Sequence, residues 1–206
     1  MAVQAKPRIT DADLLALGED VRAEVIDGEL MIHMTPNRID HSFYTQRIGT
    51  YLDVFVSARK LGRVFGDMAA YKLEADEEGG IKGSLVPDCS FISYERLPAD
   101  APINVIPTVA PDIAIEVISD TETHNDVLQK TTYYLDHGVR IVWHIIPALQ
   151  EAHTFTAPHR TPTILTLDET LTGGEVLSGF AVPVRAIFDH ADTDLHVEVL
   201  KRLMGV

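Results

Sequence analysis

Two apolar runs, SLVPDCSFIS and PDIAIEVIS, read as buried strands, and each carries an acid in its interior, Asp88 in the first and Glu116 in the second. An ionised carboxylate without a partner is expensive in such a place, so whatever the chain folds into must bring a neutralising group to both. A divalent cation bound between the two acids is one solution. The ammonium of Lys130, from the helical segment NDVLQKTTYYLDHG, is another.

The elements around these runs follow from spacing and turn chemistry. Thr10, followed by Asp11 and Asp13, is an N-cap with acids in the first turn of a short helix reaching Leu17. In AEVIDGELMIHM the apolar residues flank Asp27-Gly28, a strong turn dipeptide, and predict a β-hairpin. Between Asn37 and Leu61 the apolar positions Tyr44, Ile48, Leu52 and Phe55 or Val56 recur at helical spacing, with Gly62 as the stop. Strands are expected near Val64 to Leu73 and Leu85 to Tyr94, with EADEEGGIKG as an acidic loop between them. After the proline-rich stretch from Pro98 to Pro111 come a strand Ile113 to Ile118, a helix Asn125 to His137 and a strand Arg140 to Ile146, which implies a right-handed crossover if the strands pair in parallel. EAHTFTA, TILTL and EVLSGFAVPV read as short strands. The tail from Asp194 to Leu203 reads as a short helix whose apolar face docks on the core or on a second copy, which leaves a homodimer open.

The chain has 206 residues, of which 46% are hydrophobic, and the expectation is one domain over residues 1–206, with a core from about residue 20 to 190 and a C-terminal extension over 191–206. No window reaches the roughly 18 apolar residues of a membrane span, no signal core opens the chain, and Cys89 is the single cysteine. A reduced, cytoplasmic setting without a membrane partner fits. Charge points the other way from nucleic acid: 17 basic against 31 acidic residues give a formal net charge of -14. Locally the balance reverses, because Arg38, Arg47, Arg59, Lys60 and Arg63 face only Asp40 and Asp53 in their segment. That segment is either a basic strip or a solvated helix face.

EVIDGELMIHM, His41 near the start of the long helix, VPDCSFIS, PDIAIEVIS, NDVLQKTTYYLDHGV, RIVWHIIP and LSGFAVPV, in this order and spacing, resemble the large group of bacterial restriction-endonuclease-like proteins, the PD-(D/E)XK nucleases. The resemblance spans most of the chain. It implies an α/β fold with a mixed central sheet flanked by helices, an added N-terminal hairpin and C-terminal strands, and metal-dependent hydrolysis of phosphodiester bonds in DNA. Asp88 matches the acid of the PD motif and Glu116 the acid of the (D/E)XK motif; with the backbone carbonyl of Val117 they would hold Mg²⁺ or Mn²⁺. The general motif has its lysine two residues after the second acid, where this chain has Ile118. Lys130, on the following helix, is the expected replacement, since a long flexible stem can bring an ammonium to the same point. His41 and Glu29 are second-line candidates for metal or water contacts.

Plainer readings stand beside these. Asp126 lies four residues before Lys130, so a surface ion pair on one helix face accounts for the lysine without catalysis. Asp88 in Pro87-Asp88 can cap a neighbouring backbone group, and Tyr133, Tyr134 and Trp143 are most simply core aromatics. Glu116 is the hardest to dismiss, because IAIEVI offers an acid no solvated face. Two functions of different class follow: a metal-dependent endonuclease, gaining its grip on DNA from an accessory protein where its own acidic surface cannot, or a nuclease-fold module with little or no catalysis that acts in binding or assembly.

Overall fold

The computed structural model describes residues 8–18, 21–33, 39–120 and 122–206. Its elements, in chain order, are α1 (Asp11–Ala16), β1 (Arg22–Ile26), β2 (Glu29–His33), α2 (Ile39–Arg59), β3 (Gly62–Phe65), β4 (Tyr71–Ala75), β5 (Ile81–Leu85), β6 (Cys89–Ser93), β7 (Ile113–Val117), α3 (His124–Asp136), β8 (Ile141–Ile146), β9 (Glu151–Thr156), β10 (His159–Leu165), β11 (Thr170–Gly173), β12 (Leu177–Pro183), α4 (Val184–Phe188) and α5 (Thr193–Met204). They form a four-stranded sheet in the order β2-β1-β5-β4, a six-stranded sheet in the order β10-β9-β8-β7-β6-β3, and a two-stranded ribbon of β11 and β12. The six-stranded sheet is mixed: β7 and β8 are parallel across the α3 crossover, and the other pairs are antiparallel.

Local chemistry sets the ends of these elements. Thr10 caps α1 in a reciprocal capping box with Asp13. Asp27 and Gly28 close the β1–β2 hairpin with φ of 52° and 74°, the left-handed pair a tight two-residue turn requires. Thr123 caps α3 by accepting from the Asp126 N–H. The long helix α2 runs from Ile39, while Asn37 and Arg38, where the sequence started it, lie outside the described residues.

Three sequence expectations are corrected. The strand expected from Val64 to Leu73 is two strands in different sheets, β3 and β4, parted by a turn at Asp67-Met68 where Met68 takes φ 72°. EADEEGGIKG is not wholly a loop, since its last residues open β5, which pairs with β4. The strand expected from Leu85 to Tyr94 is likewise broken at Val86-Pro87-Asp88, where the chain leaves the four-stranded sheet as β5 and enters the six-stranded sheet as β6. Proline cannot donate to a ladder, so the transfer between sheets falls where a strand bond is already missing.

Strand alternation divides the core. Ile113, Ile115 and Val117 of β7 pack with Ile48, Leu52 and Phe55 of α2 and with residues of β12, α4 and α5. Ala114, on the opposite face, packs with Tyr133 and Tyr134 of α3 and with Ile26 and Leu85 of the four-stranded sheet. Glu116 shares that second face. The C-terminal helix covers its own core: Val199 and Leu203 are buried, the Leu203 carbonyl accepts from Arg59 at 2.5 Å, and His196 Nδ1 lies 2.8 Å from the Tyr51 hydroxyl. Among the described residues no helix is long and apolar enough to cross a membrane.

Candidate functional site

Asp88 stands one residue before β6, and Glu116 lies near the end of β7. Because the two strands are antiparallel, with Cys89 opposite Ile115, both acids arrive at the same end of the sheet. Both are buried. The Val117 N–H donates to Asp88 Oδ2 at 2.7 Å, and His41 Nε2, from the first turns of α2, is 3.2 Å from the same oxygen. The other oxygen, Oδ1, takes Arg22 Nη1 at 2.5 Å.

Glu116 is held in a similar way. Its Oε1 accepts from the Tyr134 hydroxyl at 2.7 Å and pairs with Lys130 Nζ at 2.9 Å; its Oε2 lies 3.4 Å from Arg22 Nη2. Lys130 and Tyr134, four apart on α3, present one helix face to the strand acid. Lys130 also pairs at 2.9 Å with Glu24 Oε1, an acid of β1 that is 2% exposed and that accepts from the Val86 N–H at 2.9 Å. Arg22 Nη2 donates in addition to the Val86 carbonyl.

Burial and neighbouring charge pull the protonation states apart. Burial favours the neutral form of Asp88, but the His41 hydrogen bond and the Arg22 charge outweigh it and hold the carboxyl well below the usual range. The Asp88 hydrogen bond in turn raises His41 above the ordinary histidine value, against burial. Burial pushes Glu116 up to about 7 against the pull of Lys130, with Asp88 repelling in the same direction as burial. For Lys130 burial opposes the charge, yet the attraction of Glu116 and Glu24 wins, and the side chain stays an ammonium above the usual lysine value.

The chain thus brings Asp88, Glu116, Lys130 and His41 into one cluster. Lys130 is in contact with Glu116 and Glu24. Glu29 is not brought in, because it sits exposed beside the hairpin turn, opposite Ile26, while Arg22 pairs with His33 at the other end of β1. Arg22, Glu24 and Tyr134 are cluster members that the sequence reading passed over. Glu24 had a signal: an acid in AEVI is as poorly placed for solvent as the one in IAIEVI, and Arg22, two residues earlier, falls on the same strand face. Tyr134 read as a core aromatic, and its ring is one; only its hydroxyl is polar and aimed at Glu116. Of the basic strip, Arg38 lies outside the described residues, Arg59 is tied to Leu203 and lies 3.9 Å from the Phe55 ring centroid, and Arg63 donates to the Ala99 carbonyl. Asp112, the other acid of a Pro-Asp dipeptide, is structural: it accepts from the Ser93 N–H at 2.8 Å and pairs with Arg96 at 3.1 Å.

Among the described residues no three His, Cys, Asp or Glu side chains are grouped to hold a metal. A hard divalent ion needs fewer than that, since it accepts one or two carboxylates and keeps several waters. The oxygens that converge, Asp88 Oδ1 and Glu116 Oε2, already share one cation, Arg22. An all-oxygen pair facing a single positive centre fits Mg²⁺ or Mn²⁺.

Fold and cluster together define a restriction-endonuclease-like α/β protein, with a mixed sheet flanked by helices and two acids at the end of antiparallel strands. The chain belongs to the Uma2 family, described as "Putative restriction endonuclease", whose model matches residues 11–185. Among solved structures it is similar to one titled as a putative nuclease belonging to DUF820 from Anabaena variabilis, with 22% identity, a TM-score of 0.69, and coverage of 87% of this chain and 97% of that one. No curated protein matches it.

Proposed function

We propose that this chain is a metal-dependent endonuclease that hydrolyses phosphodiester bonds in DNA. The observation that carries the proposal is the meeting of Asp88 and Glu116 with Lys130, delivered from α3 to within 2.9 Å of the second acid, although Ile118 occupies the usual lysine position. Membership of the family and the likeness to a solved protein named as a nuclease point the same way.

The residues divide the work. Asp88, Glu116 and the Val117 carbonyl would hold Mg²⁺ or Mn²⁺, which when bound supplies Lewis-acid activation of the attacking water and neutralises charge on the phosphoryl oxygens. His41 and the Val117 N–H fix one oxygen of Asp88 and leave the other to Arg22. Tyr134 and Lys130 do the same for Glu116 through Oε1. Lys130 keeps its proton, so it acts as fixed positive charge and hydrogen-bond donor toward the developing oxyanion rather than as a base. Water forms the new bond to phosphorus in line as the bond to the leaving sugar oxygen breaks. The net charge of -14 makes an accessory protein the source of further grip on DNA.

A second reading is a nuclease-fold module without catalysis, and one observation favours it: Arg22 already neutralises both acids without a metal. Cleavage of supercoiled plasmid and of a single-stranded oligonucleotide at low salt, with Mn²⁺, Mg²⁺ or EDTA, separates the two. The endonuclease nicks DNA with metal and loses the activity in Glu116→Ala; a protein that cleaves neither substrate and binds neither metal is the module.

A further inference from the structure

We infer that Arg22 is the resident cation of this site and exchanges with a divalent metal, so that loading the site requires its guanidinium to withdraw. The inference rests on the metal reading above and goes beyond it. Of the four carboxylate oxygens of Asp88 and Glu116, two are engaged by groups that fix orientation: Asp88 Oδ2 by His41 and the Val117 N–H, and Glu116 Oε1 by Tyr134 and Lys130. The remaining two, Asp88 Oδ1 and Glu116 Oε2, are bridged by Arg22 at 2.5 and 3.4 Å. The same Nη2 nitrogen donates to the Val86 carbonyl, so the guanidinium sits in a pocket of three oxygens.

Mg²⁺ would bind carboxylate oxygens at about 2.0–2.1 Å, closer than a guanidinium nitrogen does, so the two cations would exclude one another by volume as well as by charge. Without either, Asp88 and Glu116 would lie buried side by side as like charges. Arg22 therefore neutralises the two acids and at the same time competes for their oxygens.

Withdrawal has somewhere to go. Arg22 is 17% exposed at its side chain and forms part of the wall of a cavity of about 480 Å³, lined by Leu14, Val21, Phe65, Tyr71 and Val86 among others. Asp67 Oδ1 already lies 3.7 Å from Nη1, on the turn between β3 and β4, and offers the retreating guanidinium an acid partner. A rotamer change of one long side chain is sufficient, because β1 itself is held by its ladder with β2 and by Glu24.

The test is Mn²⁺ binding by isothermal titration calorimetry to the full chain, comparing wild type, Arg22→Met, Arg22→Lys and Asp88→Asn. Arg22→Met is expected to bind Mn²⁺ at least tenfold more tightly than wild type. Arg22→Lys, which keeps a charge but not the planar fork that spans both acids, is expected to tighten binding by less and guards against a Met variant that does not fold. Asp88→Asn is expected to abolish binding. In wild type the ¹⁵Nε–H resonance of Arg22 is expected to move on saturation with diamagnetic Mg²⁺. Equal or weaker Mn²⁺ affinity in the two Arg22 variants overturns the exchange and leaves the metal reading intact. Absence of Mn²⁺ binding in every protein, Arg22→Met included, overturns the metal reading and the exchange with it.

Discussion

Replacing Lys130 with methionine distinguishes a buried ion-pair centre from the surface pair with Asp126 that helix spacing alone suggests. Methionine keeps the stem and removes the charge. In the structure the ammonium is 2.9 Å from both Glu24 and Glu116, whose side chains are 2% and 7% exposed, so its loss strands two buried carboxylates. Breaking a buried pair costs about 3–5 kcal/mol, whereas an exposed helical pair is worth about 0.3–0.5 kcal/mol, and the two accounts differ by roughly tenfold. The cost also has a sign in pH. Lys130 lowers the Glu116 pKa, which burial has pushed up to about 7, so removing it raises that carboxyl further. An acid whose folded pKa is raised binds its proton more tightly when folded, and stability falls as pH rises from the unfolded value toward the folded one. The deficit of Lys130→Met is therefore expected to be larger near pH 8 than near pH 5.5, and Glu116→Gln in the same chain is expected to restore part of it. Urea unfolding in EDTA at both pH values measures this. A deficit under about 1 kcal/mol near pH 8, on the scale of an exposed pair, or one that does not change with pH, would refute the buried-centre account.

Two further predictions concern the frame around the site. His144 is 3% exposed, packs on Phe155 and lies 2.8 Å from the Thr131 hydroxyl; burial, with His153 and Lys130 adding to it, lowers its pKa to about 3. The unfolded chain takes up that proton near 6.5 and the folded one does not, so this stability is whole above the unfolded pKa and is lost as pH falls: roughly 2 kcal/mol between pH 7 and pH 5. His144→Gln is expected to flatten the stability profile over that range, and an unchanged slope in chemical unfolding would contradict the assignment. A side chain at Gly83 would land on the Tyr133 hydroxyl and within 2.7 Å of its Cζ, while that ring is stacked on His137 and hydrogen-bonded to Glu74. Gly83→Ala is expected to cost about 1–3 kcal/mol, checked by thermal unfolding; a neutral substitution would mean that the tyrosine is free to move.

What the sequence revealed and what it hid have physical reasons. The Asp27-Gly28 hairpin, the Thr10 cap of α1 and the strand–helix–strand order of β7, α3 and β8 were legible because each is encoded within a few neighbouring residues. Glu116 was legible because an acid surrounded by isoleucine, alanine and valine has no local means of staying solvated. Arg22 and Glu24 were passed over because their partners, Asp88, Glu116 and Lys130, lie far along the chain and meet them only when β1 packs beside β5. The breaks at Asp67-Met68 and Val86-Asp88 were hidden for a related reason: an apolar run records that a strand is buried, and does not record that its two halves belong to different sheets. The apolar face of the C-terminal helix left the core and a second copy equally open, and in the structure α5 packs against α2.

In the function proposed above, Lys130 and the two acids form one phosphodiester-cleaving site with separable roles. The measurement that tests it most directly is single-turnover cleavage of supercoiled plasmid in Mn²⁺ by wild type, Asp88→Ala and Lys130→Met, with Mn²⁺ binding measured on the same preparations. The account predicts that Asp88→Ala loses both binding and cleavage, and that Lys130→Met still binds Mn²⁺ but cleaves at least about a hundredfold more slowly, the scale expected for removing one fixed charge from an oxyanion. Cleavage by Lys130→Met at the wild-type rate would contradict it.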